Sequence, residues 1–122
     1  MSHIVTSHGA DFFGVDTHSI DKVRALTDYA MGALPYDEAG RKPLILLLES
    51  AGDQPESEIP ADQADVLARL LRRIAAHRFT KPKSAAIARL LGDSAARAAD
   101  AGEPWTWTTE TGALSGLDAT LT

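Results

Sequence analysis

The chain has 122 residues, a formal net charge of −5 and no cysteine. A domain of this size buries roughly two thirds of its unfolded surface, enough for one core. The missing thiols exclude disulfides, cysteine-ligated zinc, iron–sulfur clusters and cysteine nucleophiles, so packing must hold the fold.

No apolar run approaches the roughly 20 residues that cross a bilayer. Met1-Ser2-His3-Ile4 has neither the basic start nor the apolar block of a secretory signal. A cytoplasmic protein without membrane contact is the expectation.

Taken in order, His3-Ile4-Val5-Thr6-Ser7 is β-branched and half polar, and His8-Gly9-Ala10-Asp11 reads as a turn before an extended piece, Phe12-Phe13-Gly14-Val15. Asp16, Thr17 and Ser19 offer capping oxygens. Ile20, Val23, Leu26, Ala30 and Leu34 then recur at helical spacing, which predicts a helix near 19–33. Pro35 and the polar residues 37–42 end it. Next comes Pro43-Leu44-Ile45-Leu46-Leu47-Leu48-Glu49, a row of five large aliphatic side chains. A run so short and so uniformly apolar reads as a strand covered on both faces, the centre of the sheet.

Residues 50–58 hold glycine and proline breaks and several acids, so they read as a surface loop. Pro60 opens a helix near 60–78, with Asp62 and Asp65 in its first turns and Leu67, Leu70, Leu71 and Ile74 as its buried stripe. Thr80 caps a further helix near 82–101 through Ile87, Leu90, Leu91, Ala98 and Ala101, and Gly102-Glu103-Pro104 stops it. Trp105-Thr106-Trp107-Thr108-Thr109 alternates with period two, a strand with both indoles on one face, and that face belongs to the core. The expected architecture is therefore α+β. It is a single two-layer domain over 1–110, with a small mixed sheet (strands near 3–7, 43–49 and 105–109) covered by three helices; 111–122 is a tail or edge segment.

Charge is distributed unevenly. Val66 to Gly92 contains Arg69, Arg72, Arg73, Arg78, Lys81, Lys83 and Arg89 and no acid, while the rest of the chain is acidic. Such asymmetry marks either a surface for an acidic partner or two helices whose arginines pair with acids elsewhere in the fold. Within 84–101, Ala88 and Gly92 stand where a helix-turn-helix places its small crossing residue and its turn glycine. The downstream half then carries Arg97 as its only cation, with Asp100 against it. One uninterrupted helix is the simpler reading.

A second constellation follows from parallel pairing of 4–7 with 44–48. The carboxyl ends of those strands would bring His8 and Asp11 beside Glu49 and Asp53, where imidazole and carboxylates can bind a ligand or move protons. Ordinary turn chemistry explains the same residues. His3 and His18 have no spacing that adds to this set. Neither a catalytic residue nor a metal ligand nor a cofactor is assigned. Phe12 and Phe13 point to opposite faces if extended, so one of them is a candidate exposed contact.

The stretches Ser7-His8-Gly9-Ala10-Asp11-Phe12-Phe13-Gly14 and Gly102-Glu103-Pro104-Trp105-Thr106-Trp107 resemble small uncharacterised proteins of actinobacteria, streptomycetes in particular, over about residues 3 to 109. This resemblance implies an origin but no activity. The functional expectation is a non-catalytic regulatory or binding protein whose partner is another protein or a second copy. Its contact surfaces would be Phe12, Phe13, Arg69, Arg72, Arg73 and Arg78. The alternatives are a helix-turn-helix-like DNA-binding regulator using 84–101 and a small metal-binding protein or hydrolase at His8, Asp11 and Glu49.

Overall fold

Period-two alternation builds the sheet. In β1 (His3–Ser7), Ile4 and Thr6 are buried while His3, Val5 and Ser7 are half-buried. In β4 (Trp105–Glu110), Trp105 and Trp107 are the buried pair, as their spacing predicts. The computed structural model describes residues 2–110, so the expected tail or edge segment at 111–122 lies outside the described residues.

With β2 (Val15–Ser19) and β3 (Glu56–Ile59), these strands form one sheet in the order β2-β1-β4-β3. Every pairing is antiparallel, so the expected mixed sheet is corrected. Register is set by pairs such as Thr6 with both Asp16 and Trp107, and Ser57 with Trp107. Four helices accompany the sheet: α1 (Ile20–Ala33), α2 (Arg41–Glu49), α3 (Ala61–Ala76) and α4 (Pro82–Ala101). None of them is long and apolar enough to cross a membrane.

The largest departure from expectation is α2. Residues 43–49 are helical, and the strand expected there does not exist. Leucine is among the better helix formers, and an unbroken apolar run does not distinguish a buried strand from a buried helix. Three features select the helix. Pro43 falls in the first turn, where a missing amide hydrogen costs nothing. Gly40 precedes that turn at φ 86°, and a Cβ there would lie 2.5 Å from Val66 Cγ1, so glycine is required for both conformation and space. Helical winding then buries Leu44, Ile45 and Leu48 together and turns Leu46 outward at 56 % exposure. Because 43–49 is not a strand, α1 is not a crossover between parallel strands. Arg41 instead ties α2 back to α1 by donating to the carbonyls of Leu34 and Met31.

The segment read as a loop supplies β3 in place of the lost strand. Its signal was faint because Glu56 and Glu58 face solvent and only Ile59 is buried, as suits a short, charged edge strand. The second extended piece begins later than expected, at Val15, with Phe12–Gly14 in the preceding turn. The stripes expected on α1 and α3 are all buried: Ile20, Val23, Leu26 and Ala30 with the following Leu34, then Leu67, Leu70, Leu71 and Ile74.

On α4 the buried face is narrower-bodied than expected. Ala85, Ala88, Leu91, Gly92, Ala95 and Ala98 line it, while Leu90 is exposed. Small residues let α3 and α4 approach closely; a Cβ on Gly92 would sit 3.2 Å from the Ala68 carbonyl oxygen. Gly92 is thus an interior helical residue at a close crossing, and the turn of a helix-turn-helix is not formed there. α4 also lies against the sheet. Trp105 Nε1 donates to Ser94 Oγ at 3.1 Å, Ser94 Oγ donates to the Leu91 carbonyl at 3.0 Å, and Trp105 meets Trp107 edge to face at 5.4 Å.

The helical assignment of 41–49 separates neighbouring leucines in energy. Leu48→Ala should cost about 2–5 kcal/mol of unfolding free energy, because it opens a cavity in the core. Leu46→Glu should change stability by no more than about 0.5 kcal/mol, as an exposed position allows. Urea denaturation of both variants reads the difference; equal large losses would restore the doubly covered strand.

Candidate functional site

The β1–β2 hairpin tip is the most strongly specified loop of the described chain. His8 takes the left-handed conformation at φ 59°, and Gly9 follows where a Cβ would collide with the Val15 backbone. Gly9 N–H donates to the Gly14 carbonyl at 2.9 Å. Asp11 Oδ1 accepts the amides of Phe13 at 2.8 Å and Val15 at 3.0 Å, while Asp16 Oδ1 accepts that of Ala10 at 3.0 Å. Asp11 is therefore a turn-forming residue. Phe12 and Phe13 stand on this braced loop 95 % and 82 % exposed, edge to face at 5.3 Å. The tight turn, with no extended piece here, leaves both rings in solvent.

His8 anchors the tip to the turn before the neighbouring strand β4. Its Nε2 lies 2.8 Å from Glu103 Oε1, its Nδ1 lies 2.9 Å from Ser7 Oγ, and its carbonyl accepts Arg97 Nη1 at 2.9 Å. The ring thus bridges the Glu103 carboxylate at Nε2 and the Ser7 hydroxyl at Nδ1. Serine, histidine and glutamate in series resemble an acyl-transfer relay, which also requires donors aimed at the reacting oxygen. Here the nearby Thr106 amide donates to Ser7 Oγ itself at 2.9 Å. The relay ties β1, the tip and the turn before β4 together.

The structure does not gather the expected ligand pocket. His8 and Asp11 belong to the hairpin tip, whereas Glu49 ends α2 and Asp53 accepts Arg24 Nη2 at 3.0 Å in the turn beyond it. No hydrogen bond among the described residues joins the two pairs, because the strand that would have brought them together is a helix. Glu49 instead borders an open apolar groove of about 370 Å³ between α1 and α2, where Met31, Tyr36 and Leu46 are exposed. The narrow pocket beside Trp107 measures about 10 Å³, room for no more than a single water. Among the described residues no group of three or more histidines and carboxylates is placed to hold a metal ion.

The basic stretch divides into two kinds of cation. Arg69 pairs with Asp65 at 3.5 Å, Arg72 with Asp93 at 2.9 Å, and Arg73 with Glu38 at 2.5 Å. Arg78 has no carboxylate partner among the described residues and lies 4.8 Å from the centre of the Phe79 ring. Phe79 and the Met31–Tyr36–Leu46 group are exposed apolar features that the sequence reading passed over. Phe79, Met31 and Tyr36 lie outside every helical stripe, while Leu46 was hidden in the aliphatic run expected to be a doubly covered strand.

A polar row lies on the buried face of β1 and β2. Thr6 Oγ1, Asp16 Oδ2 and His18 Nε2 are all buried without a hydrogen-bond partner among the described residues. Burial pushes the His18 pKa below its ordinary value, and the opposing pull of Asp16 does not overcome it. His18 is accordingly neutral in the folded protein.

That state has a pH signature. The unfolded chain binds a proton at His18 below about pH 6.5 and the folded one does so only at lower pH. Stability should therefore fall as pH drops from about 6.5 toward the lowered folded-state value, by at most about 1.4 kcal/mol per pH unit from this group. Urea midpoints of the wild type and His18→Gln between about pH 5 and pH 8 measure it, with a shallower decline expected for the variant. Identical profiles would remove His18 from the account.

Comparison with known proteins returns no match among curated proteins or solved structures. A family model described as a domain of unknown function (DUF7739) matches residues 9–108, from the hairpin tip through Thr108 in β4. The chain belongs to this family of domains of unknown function, and the match takes in the braced tip and both indole-bearing positions of β4.

Proposed function

We propose that this chain is a non-catalytic, cytoplasmic binding protein of actinobacterial origin that acts by inserting the Phe12–Phe13 tip into an apolar pocket on a protein partner. The observation that carries this reading is the pair of adjacent phenyl rings, 95 % and 82 % exposed, on a backbone braced by Asp11 and Asp16. An ordered loop has already lost its backbone entropy, so docking it costs less than docking a flexible one. Rings left in water on such a loop gain free energy only when something covers them. Burying each phenyl group is worth about 1.5–3 kcal/mol, so the pair forms the energetic centre of a wider contact.

The test uses the full chain with a photo-crosslinking phenylalanine at position 12, in extract of the native host. One predominant adduct is expected. The purified partner should bind the wild type and lose about 100-fold in affinity toward the Phe12→Ser, Phe13→Ser double variant, whose far-UV circular dichroism and melting temperature stay unchanged. Undiminished binding by that variant would overturn the reading.

A further inference from the structure

We infer that the tip of the α3–α4 hairpin, together with the groove beside it, binds single-stranded nucleic acid. The inference rests on a different surface from the Phe12–Phe13 tip. The stretch from Val66 to Gly92 is free of acids, and the fold neutralises only part of its positive charge. Arg69, Arg72 and Arg73 each face a carboxylate. Arg78, Lys81, Lys83 and Arg89 face none among the described residues. Three of these four flank the short connection between the end of α3 at Ala76 and the start of α4 at Pro82. Of the eight lysines and arginines without a carboxylate partner among the described residues, Arg78, Lys81 and Lys83 stand together at one end of one helical hairpin.

The same connection carries an exposed aromatic ring. Phe79 is 70 % exposed, with the Arg78 guanidinium over it at 4.8 Å and the His77 ring beside it at 5.7 Å. The backbone beneath is fixed: Thr80 Oγ1 donates to the Ile74 carbonyl at 2.8 Å and Thr80 N–H to that of His77 at 3.0 Å. A guanidinium stacked on a phenyl ring is a platform for an unpaired base, and neighbouring lysines suit the phosphates on either side.

An open groove of about 370 Å³ adjoins the platform. It is lined by Arg72, Ala75 and Ala76 of α3 and by Arg89 and Asp93 of α4, and it reaches the last residue before the connection. Alanines keep it shallow enough for a sugar–phosphate chain. Asp93 already engages Arg72, so Arg89 is the cation left to meet phosphate within the groove. A cationic groove running up to a stacking platform matches the two-part recognition of single strands. A lipid surface would use the loop but not the groove, which decides between the two anionic partners.

The experiment is fluorescence anisotropy of the full chain with a labelled oligothymidylate of about 12 nucleotides, at salt from about 20 to 200 mM. Binding at low salt is expected, with log affinity falling against log salt at a slope of about −3, since four cations each displace counterions from a single strand. Phe79→Ala should weaken binding about 5- to 150-fold, the range for loss of one stacked base. Lys81→Glu with Lys83→Glu should reduce affinity further and make the slope shallower by about 1.4. Arg69→Gln should leave affinity within about twofold, its guanidinium being paired outside the groove. All of these side chains are exposed, so far-UV circular dichroism should confirm intact folds. The inference is overturned by absence of binding at low salt, by equal affinities of the wild type and the tip variants, or by association with phosphatidylglycerol vesicles in the absence of oligonucleotide binding.

Discussion

The fold depends on the two indoles of β4. This strand occupies an interior position of the sheet, pairing with β1 on one side and β3 on the other, so its side chains set both registers at once. Trp105 and Trp107 project from the same face and meet edge to face, filling the space between sheet and helices. The Trp105 indole N–H is satisfied by Ser94, itself bonded to the turn before it on α4. An apolar payload this large, with the Trp105 indole N–H held by Ser94 and Trp107 Nε1 buried without a hydrogen-bond partner among the described residues, fixes the orientation of α4 on the sheet. α3 follows because α4 presents it with alanines and Gly92.

The two candidate surfaces project from that framework on short, rigid connections. At the β1–β2 tip, a left-handed histidine, a crowded glycine and an aspartate accepting two amides leave no room for the phenyl rings to fold back. At the α3–α4 tip, Thr80 closes the turn onto the last carbonyls of α3 and leaves Phe79 outward. In both places polar side chains are spent on backbone groups and apolar rings face water. This inverts the usual economy of a surface loop, and makes both candidate contacts. Electrostatics separates them. Asp11 and Asp16 brace the loop that carries the phenyl pair, while the Phe79 ring has the Arg78 guanidinium over it.

Secondary-structure periodicity was legible wherever one face of an element is apolar and the other polar. That condition holds for β1, α1, α3, α4 and β4, whose expected positions agree with the structure to within a few residues. It fails for α2, where five consecutive aliphatic side chains carry no period, and for β3, where a single buried residue is too little pattern to read. Those failures are linked. Reading 43–49 as a strand supplied a false neighbour for β1, and the constellation of His8, Asp11, Glu49 and Asp53 was a consequence of that neighbour.

By itself the sequence determined an α+β domain, a core holding both tryptophans, an uneven distribution of charge and an uninterrupted α4. These follow from local composition and spacing, which act between residues a few positions apart. The tertiary structure decided that 43–49 winds as a helix, that the sheet is antiparallel throughout, and which arginines meet an acid. Those outcomes depend on contacts between distant parts of the chain: Gly40 against Val66, Glu38 against Arg73, Asp93 against Arg72. Exposure of Phe12, Phe13 and Phe79 belongs with them, because a ring counts as exposed only once the rest of the chain has packed without it.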